Sequence, residues 1–167
     1  MTQRKRVLMQ TDLADAYSSS KVTVWDGETT ITACGHQGAR WGNQPDLVDT
    51  LGVSELYVIT AWNPRSELST AEANNQSNGN LLRDLQALGL HVCRAEGASV
   101  DGTWAEASFA VLVGDDEYST AIQEQVHKLA IKYQQNAYFK LTSETFEVFG
   151  AIFTGLHISL DIEISMR

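Results

Sequence analysis

Tyr57-Val58-Ile59-Thr60-Ala61-Trp62-Asn63-Pro64-Arg65-Ser66 is the stretch on which the fold turns. Its first half is an apolar run of strand length with β-branched and aromatic residues. Pro64 ends strand pairing, because it lacks an amide N–H and its φ is fixed. Asn63, Arg65 and Ser66 are left at the strand's end. A helix start follows at Ser69-Thr70-Ala71-Glu72, which has the form of a capping box. Ligands are often held where an element ends in a polar loop, so this turn is the first candidate site.

Downstream, Gly89 suits the stop of the helix that begins near Ser69. Leu81, Leu82, Leu85 and Leu88 give its second half an apolar stripe. Its first half is Asn74-Asn75-Gln76-Ser77-Asn78-Gly79-Asn80, a run of poor helix formers in which Gly79 alone costs about 1 kcal/mol against Ala. Asn74 and Asn78 lie four apart and share one face. His91–Arg94 reads as a short strand, Glu96-Gly97 through Gly102 as a loop, and Trp104–Val113 as a segment ending in a buried strand. Helical spacing of Tyr118, Ile122, Val126, Leu129, Ala130 and Tyr133 predicts a helix over about 115–133, with acids at its start and lysines near its end. A strand over 136–141 follows.

The C-terminal part reads as two further strands, Phe146–Phe153 and 156–164, with Thr154-Gly155 turning between them. In the second, Leu156, Ile158, Leu160, Ile162 and Ile164 alternate strictly with polar residues, the pattern of a strand with one buried face. So long an edge strand offers a pairing surface to a second copy, as in a homo-oligomer, or to a protein partner. Upstream of the opening stretch, residues 11–17 suit a short helix. Lys21–Ala33 reads as a hairpin around Asp26-Gly27, and 35–44 as a Gly-containing polar loop with Arg40 and Trp41. Pro45 suits the first turn of a short helix with Leu47, Val48 and Leu51 facing inward. The expectation is one α+β domain over residues 1–167. Its sheet is mixed and mostly antiparallel, helices pack on it, and a C-terminal β-hairpin completes it.

At 167 residues, 43% hydrophobic and 20% charged, the chain has the size and composition of one globular domain. It has no apolar run long enough to span a bilayer. The basic Arg4-Lys5-Arg6 start lacks the apolar segment of a secretory signal. A cytoplasmic location away from membranes is expected. The net charge is −9, and no Lys or Arg stands between Arg94 and Lys128. That window, with Glu96, Asp101, Glu106, Asp115, Asp116, Glu117 and Glu124, repels phosphate backbones and argues against direct nucleic-acid binding. It reads as a solvated acidic face or as a surface for a basic protein.

Cys34 and Cys93 give no disulfide framework. Each stands two residues from a histidine, His36 and His91, but the spacing is not that of a zinc knuckle or finger. No metal and no cofactor is expected. Signatures of a P-loop, a nucleophile elbow, a zinc protease helix and a dinucleotide fold are absent.

Ile59-Thr60-Ala61-Trp62-Asn63-Pro64, an Asn-rich helix, Glu96-Gly97, Trp104-Ala105-Glu106-Ala107-Ser108 and Gln135-Asn136-Ala137 occur in that order. Together they resemble a bacterial and phage family known only as domain of unknown function 3293, over about residues 12–141. The resemblance implies a small one-domain α+β protein and no established activity. This chain departs from the family pattern at three places. Ala107 stands where Pro is usual, Gln134 where Gly is common, and Ala73 separates Glu72 from Asn74 where an acid–Asn pair is usual. Residues 142–167 lie outside the resemblance and read as a C-terminal strand extension, an added dimerisation or partner element.

The quoted motifs carry two readings. In the first, Arg65 holds a carboxylate or phosphate, Asn63 and Asn74 read a polar edge, Trp104 stacks on a planar ligand, and Gln135 adds a donor. Glu106 is the weak candidate for a general base. The pocket would then comprise Asn63, Arg65, Ser66, Asn74, Asn78, Trp104, Glu106, Ser108 and Gln135, and would take a small polar or anionic, nucleotide-like ligand. In the second, Asn63 terminates the strand, Arg65 is a surface cation, Trp104 is core, and Glu106 satisfies the amides of Asn63 or Gln135 in a structural network. The functional alternative is a non-enzymatic interaction or inhibitor protein acting through the acidic face and the C-terminal strand.

Overall fold

The structure, a computed structural model, describes residues 10–38, 44–114 and 118–167. Arg4, Lys5, Arg6, the loop residues 39–43, and Asp115, Asp116 and Glu117 lie outside the described residues. In chain order the elements are α1 (Gln10–Ser18), β1 (Ser20–Asp26), β2 (Thr29–His36), α2 (Leu47–Leu51), β3 (Glu55–Ile59), α3 (Ala71–Ala87), β4 (His91–Ser99), β5 (Ala105–Val113), α4 (Ser119–Lys132), β6 (Ala137–Thr142), β7 (Thr145–Gly150) and β8 (His157–Met166).

The strands do not form an open sheet with helices laid on it. They close into a barrel in the order β1-β2-β8-β7-β6-β3-β5-β4, and every pairing is antiparallel. The expected mixed sheet is thereby corrected, while the helix-and-strand composition in one domain stands. The free C-terminal edge is corrected too. β8 pairs with β7 on one side through His157–Asp161 and with β2 on the other through Asp161–Met166, so each half of the strand is engaged along one edge. The C-terminal hairpin is present, yet it is a closing part of the barrel and not an addition to it.

Two cores follow from strand alternation. Each strand sends side chains inward, among them Val22 and Val24, Ile31 and Ala33, Leu56 and Val58, Ala95, Ala110 and Leu112. Phe139 and Leu141, Phe146 and Val148, and Ile162 and Ile164 complete the interior. The outward residues of the β3–β5–β6 region form the second core. Tyr57, Ile59, Val111, Val113 and Tyr138 meet Leu81 and Leu85 of α3 and Ile122, Val126 and Ala130 of α4. All five residues of β3 are therefore buried, which is why Leu56–Ile59 read as a continuous apolar run, while Glu55 at the strand's start pairs with Lys140.

Local departures have local causes. β4 continues to Ser99, through residues expected to be a loop, because its Glu96 and Gly97 pair with Ala107 and Glu106. Asp46 caps α2 by accepting the Val48 N–H at 2.7 Å, which places Pro45 before the helix. Leu47 is buried, Leu51 is half-buried, and Val48 faces out at 47% exposure. Gly150 is required by close approach: a Cβ there would stand 1.9 Å from the Phe153 carbonyl oxygen.

The barrel ends are covered differently. α2 lies at the end formed by the starts of β3 and β7, where the Leu47 N–H donates to Ser143 Oγ at 3.1 Å. α1 lies at the other end, and its Tyr17 packs edge-on against Phe139 with ring centroids 5.9 Å apart. The Asn-Pro-Arg-Ser turn, the β4–β5 connection and the start of β6 gather at this second end.

Candidate functional site

Beyond Ile59 the β3 backbone leaves its ladder with β5, and side chains take over its bonding. The Ala61 N–H donates to Asn78 Oδ1 at 2.8 Å, and Asn78 Nδ2 donates to the Ala107 carbonyl at 2.8 Å. Thr60 Oγ1 also donates to that carbonyl, at 2.7 Å. One turn back on α3, Asn74 Oδ1 accepts the Asn63 N–H at 2.8 Å, and Asn74 Nδ2 donates to Asn63 Oδ1 at 2.9 Å. Two of the poor helix formers of α3 are thus explained: the buried amides of Asn74 and Asn78 bond the turn where no neighbouring strand does.

These bonds fix the amide orientations. The Ser69 N–H, which can only donate, reaches Asn63 Oδ1 at 3.1 Å. Asn63 Nδ2 must then face the other way, and it donates to Glu106 Oε1 at 3.3 Å. Glu106 satisfies Asn63, as the structural reading expected; Gln135 instead donates to the carbonyls of Trp62 and Tyr133 at 3.3 and 3.1 Å. No buried side-chain nitrogen or oxygen among the described residues lacks a partner. The turn itself is strained, with φ of +46° at Asn63, +58° at Arg65 and +58° at Ser66. Gln134 has φ of +55°. It stands where the resembled family commonly has Gly, the residue that adopts this conformation without steric cost.

Glu106 lies on the inward face of β5, in register with Ala110 and Leu112, but at the barrel's mouth. Across the ladder it faces Gly97, which lies beside Trp104, Ser108 and Phe139. A cavity of about 260 Å³ opens at this mouth. Asn63, Ser66 and Leu68 line it from the turn, Trp104 and Glu106 from β5 and its approach, and Asp12, Leu13, Ala16 and Tyr17 from α1. A smaller hollow of about 30 Å³ continues inward past Tyr17, Trp104 and Glu106 to Ser108, Gln135 and Phe139.

Burial pushes the Glu106 carboxyl up to about 7, against the pull of the Asn63 hydrogen bond in the other direction. Near neutral pH it can therefore both accept and release a proton. Burial, and then the nearby Glu106 charge, pushes the Tyr17 phenol up, so it stays protonated.

The nine candidate residues separate into four groups. Asn63, Ser66, Trp104 and Glu106 line the mouth, and Ser108 and Gln135 line the inner hollow. Asn74 and Asn78 are buried supports behind it. Arg65 lies outside: it is exposed, and its Nε donates to Gln134 Oε1 at 3.0 Å. Sequence reasoning missed the α1 wall. Tyr17 precedes Asn63 by more than forty residues, and a short amphipathic helix carries no signal of what it will cover. Asn136 was also missed as a site residue, although its motif was noticed; its Nδ2 donates to Ser66 Oγ at 2.9 Å.

Other polar groups lie apart from the mouth. Cys34 is on β2 and Cys93 on β4, with β1 between them. Among the described residues no group of His, Cys, Asp and Glu is placed to hold a metal ion, and no helix is long and apolar enough to cross a membrane.

A family model described as protein of unknown function (DUF3293) matches residues 59–138, just under half of the chain. The resemblance read from the motifs is shown over that shorter span. The span holds every candidate residue from Asn63 to Gln135, whereas the α1 wall lies outside it. No curated protein and no solved structure matched the chain.

Proposed function

We propose that this protein binds a small, single-ring ligand in the mouth of its barrel, between Tyr17 and Trp104, with Glu106 meeting the ligand's polar edge. The observation that carries the reading is convergence. A turn, a strand and a helix distant in sequence place an oriented amide, a carboxyl group and two aromatic side chains around one cavity. Mouths of β-barrels are common ligand sites, and a few placed polar groups among apolar walls are their usual chemistry. The volume of about 260 Å³ suits one ring better than a whole nucleotide. The anionic part of the original expectation loses its support, because Arg65 points to Gln134 and no Lys, Arg or His is among the described lining residues. Glu106 remains the candidate acid or base should the ligand be a substrate. The alternative, a protein partner, keeps the acidic face, while β2 takes up the Asp161–Met166 half of the C-terminal strand's edge.

A screen of single-ring fragments of all charge types by two-dimensional NMR tests this reading. Hits are expected to shift the Trp104 indole and the Asn63 side-chain amide signals together. A screen in which no fragment moves both signals refutes the cavity as a binding site.

A further inference from the structure

We infer that the ligand of this mouth is a cation: a single-ring group bearing an amidinium or ammonium head, seated on the Glu106 carboxylate between the rings of Tyr17 and Trp104. The inference rests on the cavity reading above and adds the charge to it. Three features of the site carry it. Glu106 is a partly buried acid whose Oε1 is engaged by a neutral amide, Asn63 Nδ2, and among the described residues no cation accompanies it. An acid in such a place gains most from a positive partner that arrives with its own donors, because charge-assisted hydrogen bonds are about twice as strong as neutral ones. Two aromatic side chains, Tyr17 and Trp104, stand in the walls beside Leu13, Ala16 and Leu68, and ring faces attract cations and repel anions. Among the described residues no Lys or Arg lines the cavity, and the Arg65 Nε on the neighbouring turn is directed to Gln134.

The titration of the site fits this assignment. Glu106 is held near 7 chiefly by burial, and a bound cation would oppose that and favour the ionised form. Among the described residues the titratable groups that line the cavity with it are Tyr17 and Asp12, both from α1. Gly97 from β4, Ser108 from β5 and Gln135 before β6 do not titrate. Binding of a cation should therefore tighten as pH rises through about 7 and level off above it.

The test is a matched series of one shape and three charges: benzamidine, benzamide and benzoate, titrated into the full chain at pH 5.5 and pH 8 and followed by NMR and calorimetry. The expected result at pH 8 is benzamidinium about tenfold tighter than benzamide, with benzoate weakest. The benzamidinium preference should shrink at pH 5.5 and disappear in Glu106→Gln, whose fold is checked by its thermal melt. Benzamide binding as tightly as benzamidinium at pH 8 in the wild-type chain would overturn the charge assignment while leaving the cavity reading intact. Failure of all three, together with the wider fragment screen, to move the Trp104 and Asn63 signals would overturn both. Because the wild-type series decides by itself, the inference does not depend on the variant folding.

Discussion

Replacing Glu106 with Gln should change the pH dependence of stability in a defined direction. The carboxyl of Glu106 is pushed from the usual 4.5 to about 7 by burial at the barrel mouth. Between those values the folded protein holds a proton that the unfolded chain has released. Stability must then fall as pH rises from about 4.5 to about 7, and stay level above, where both states are ionised. At 1.36 kcal/mol per pKa unit the full effect is about 3 kcal/mol, and partial solvent screening at the mouth reduces it to about 2–3 kcal/mol. Gln keeps the oxygen that accepts from Asn63 Nδ2, has nearly the same volume and never ionises. The variant should thus match the wild type near pH 4.5 and exceed it near pH 8 by about 2–3 kcal/mol, or roughly 4–12 °C in Tm for a chain of this size. Urea unfolding at half-unit pH steps, followed by circular dichroism, measures both curves. The histidines and remaining carboxylates are common to the two proteins, so the difference curve isolates Glu106. Parallel curves across this range would refute the reasoning, because the carboxyl would then titrate alike in the folded and unfolded chain.

The buried amides give a second prediction. Asn78→Ala removes the acceptor of the Ala61 N–H and a donor to the Ala107 carbonyl, and should cost about 2–4 kcal/mol in chemical denaturation, whereas Asn75→Ala on the exposed side should cost less than about 0.5 kcal/mol. Truncation after Leu141 deletes β7 and β8 and leaves β6 and β2 unpaired on one side, so the fragment should lack the cooperative thermal transition of the full chain by circular dichroism. The glycines at 97 and 150 should differ sharply. Gly97→Ala places its Cβ 3.6 Å from the Phe139 ring, an ordinary contact, and should stay within about 1 kcal/mol of wild type while narrowing the inner hollow. Gly150→Ala meets the Phe153 carbonyl and should lower stability by about 2 kcal/mol or more, read in the same unfolding assay.

The amide network explains why the mouth can hold strained backbone. Positive φ at Asn63, Arg65 and Ser66 is sustained because several neighbours over-determine the turn: Asn74 holds both the backbone and side chain of Asn63, Asn136 reaches Ser66, and the Arg65 N–H donates to the Gln134 carbonyl at 2.8 Å. The network that bonds the strand end is the one that aims Asn63 at Glu106. The structural and functional readings of these residues therefore describe one arrangement, with Asn74 and Asn78 as supports and Asn63 as the link to the cavity.

The sequence by itself determined what is local. Period-2 alternation revealed β8, helical spacing revealed most of α4, and Gly27 with φ of +59° turned the β1–β2 hairpin near where Asp26-Gly27 placed it. It also located the polar turn at Asn63 and Pro64, although the strand itself ends earlier, at Ile59, and it singled out the Asn-rich half of α3, whose Asn74 and Asn78 are buried and bond that turn. Only the tertiary structure decided that the sheet closes. The pairings β1–β4, β2–β8, β3–β5 and β3–β6 join segments separated by other elements, and an unpaired edge and a paired one carry the same alternation. That is why β8 reads as an exposed edge and is instead a closing strand. Tertiary structure likewise decided that Tyr17 and Trp104 line one cavity and that Arg65 leaves the site. A side chain's direction at a strained turn, and the landing place of a short helix, depend on contacts that the local sequence does not encode.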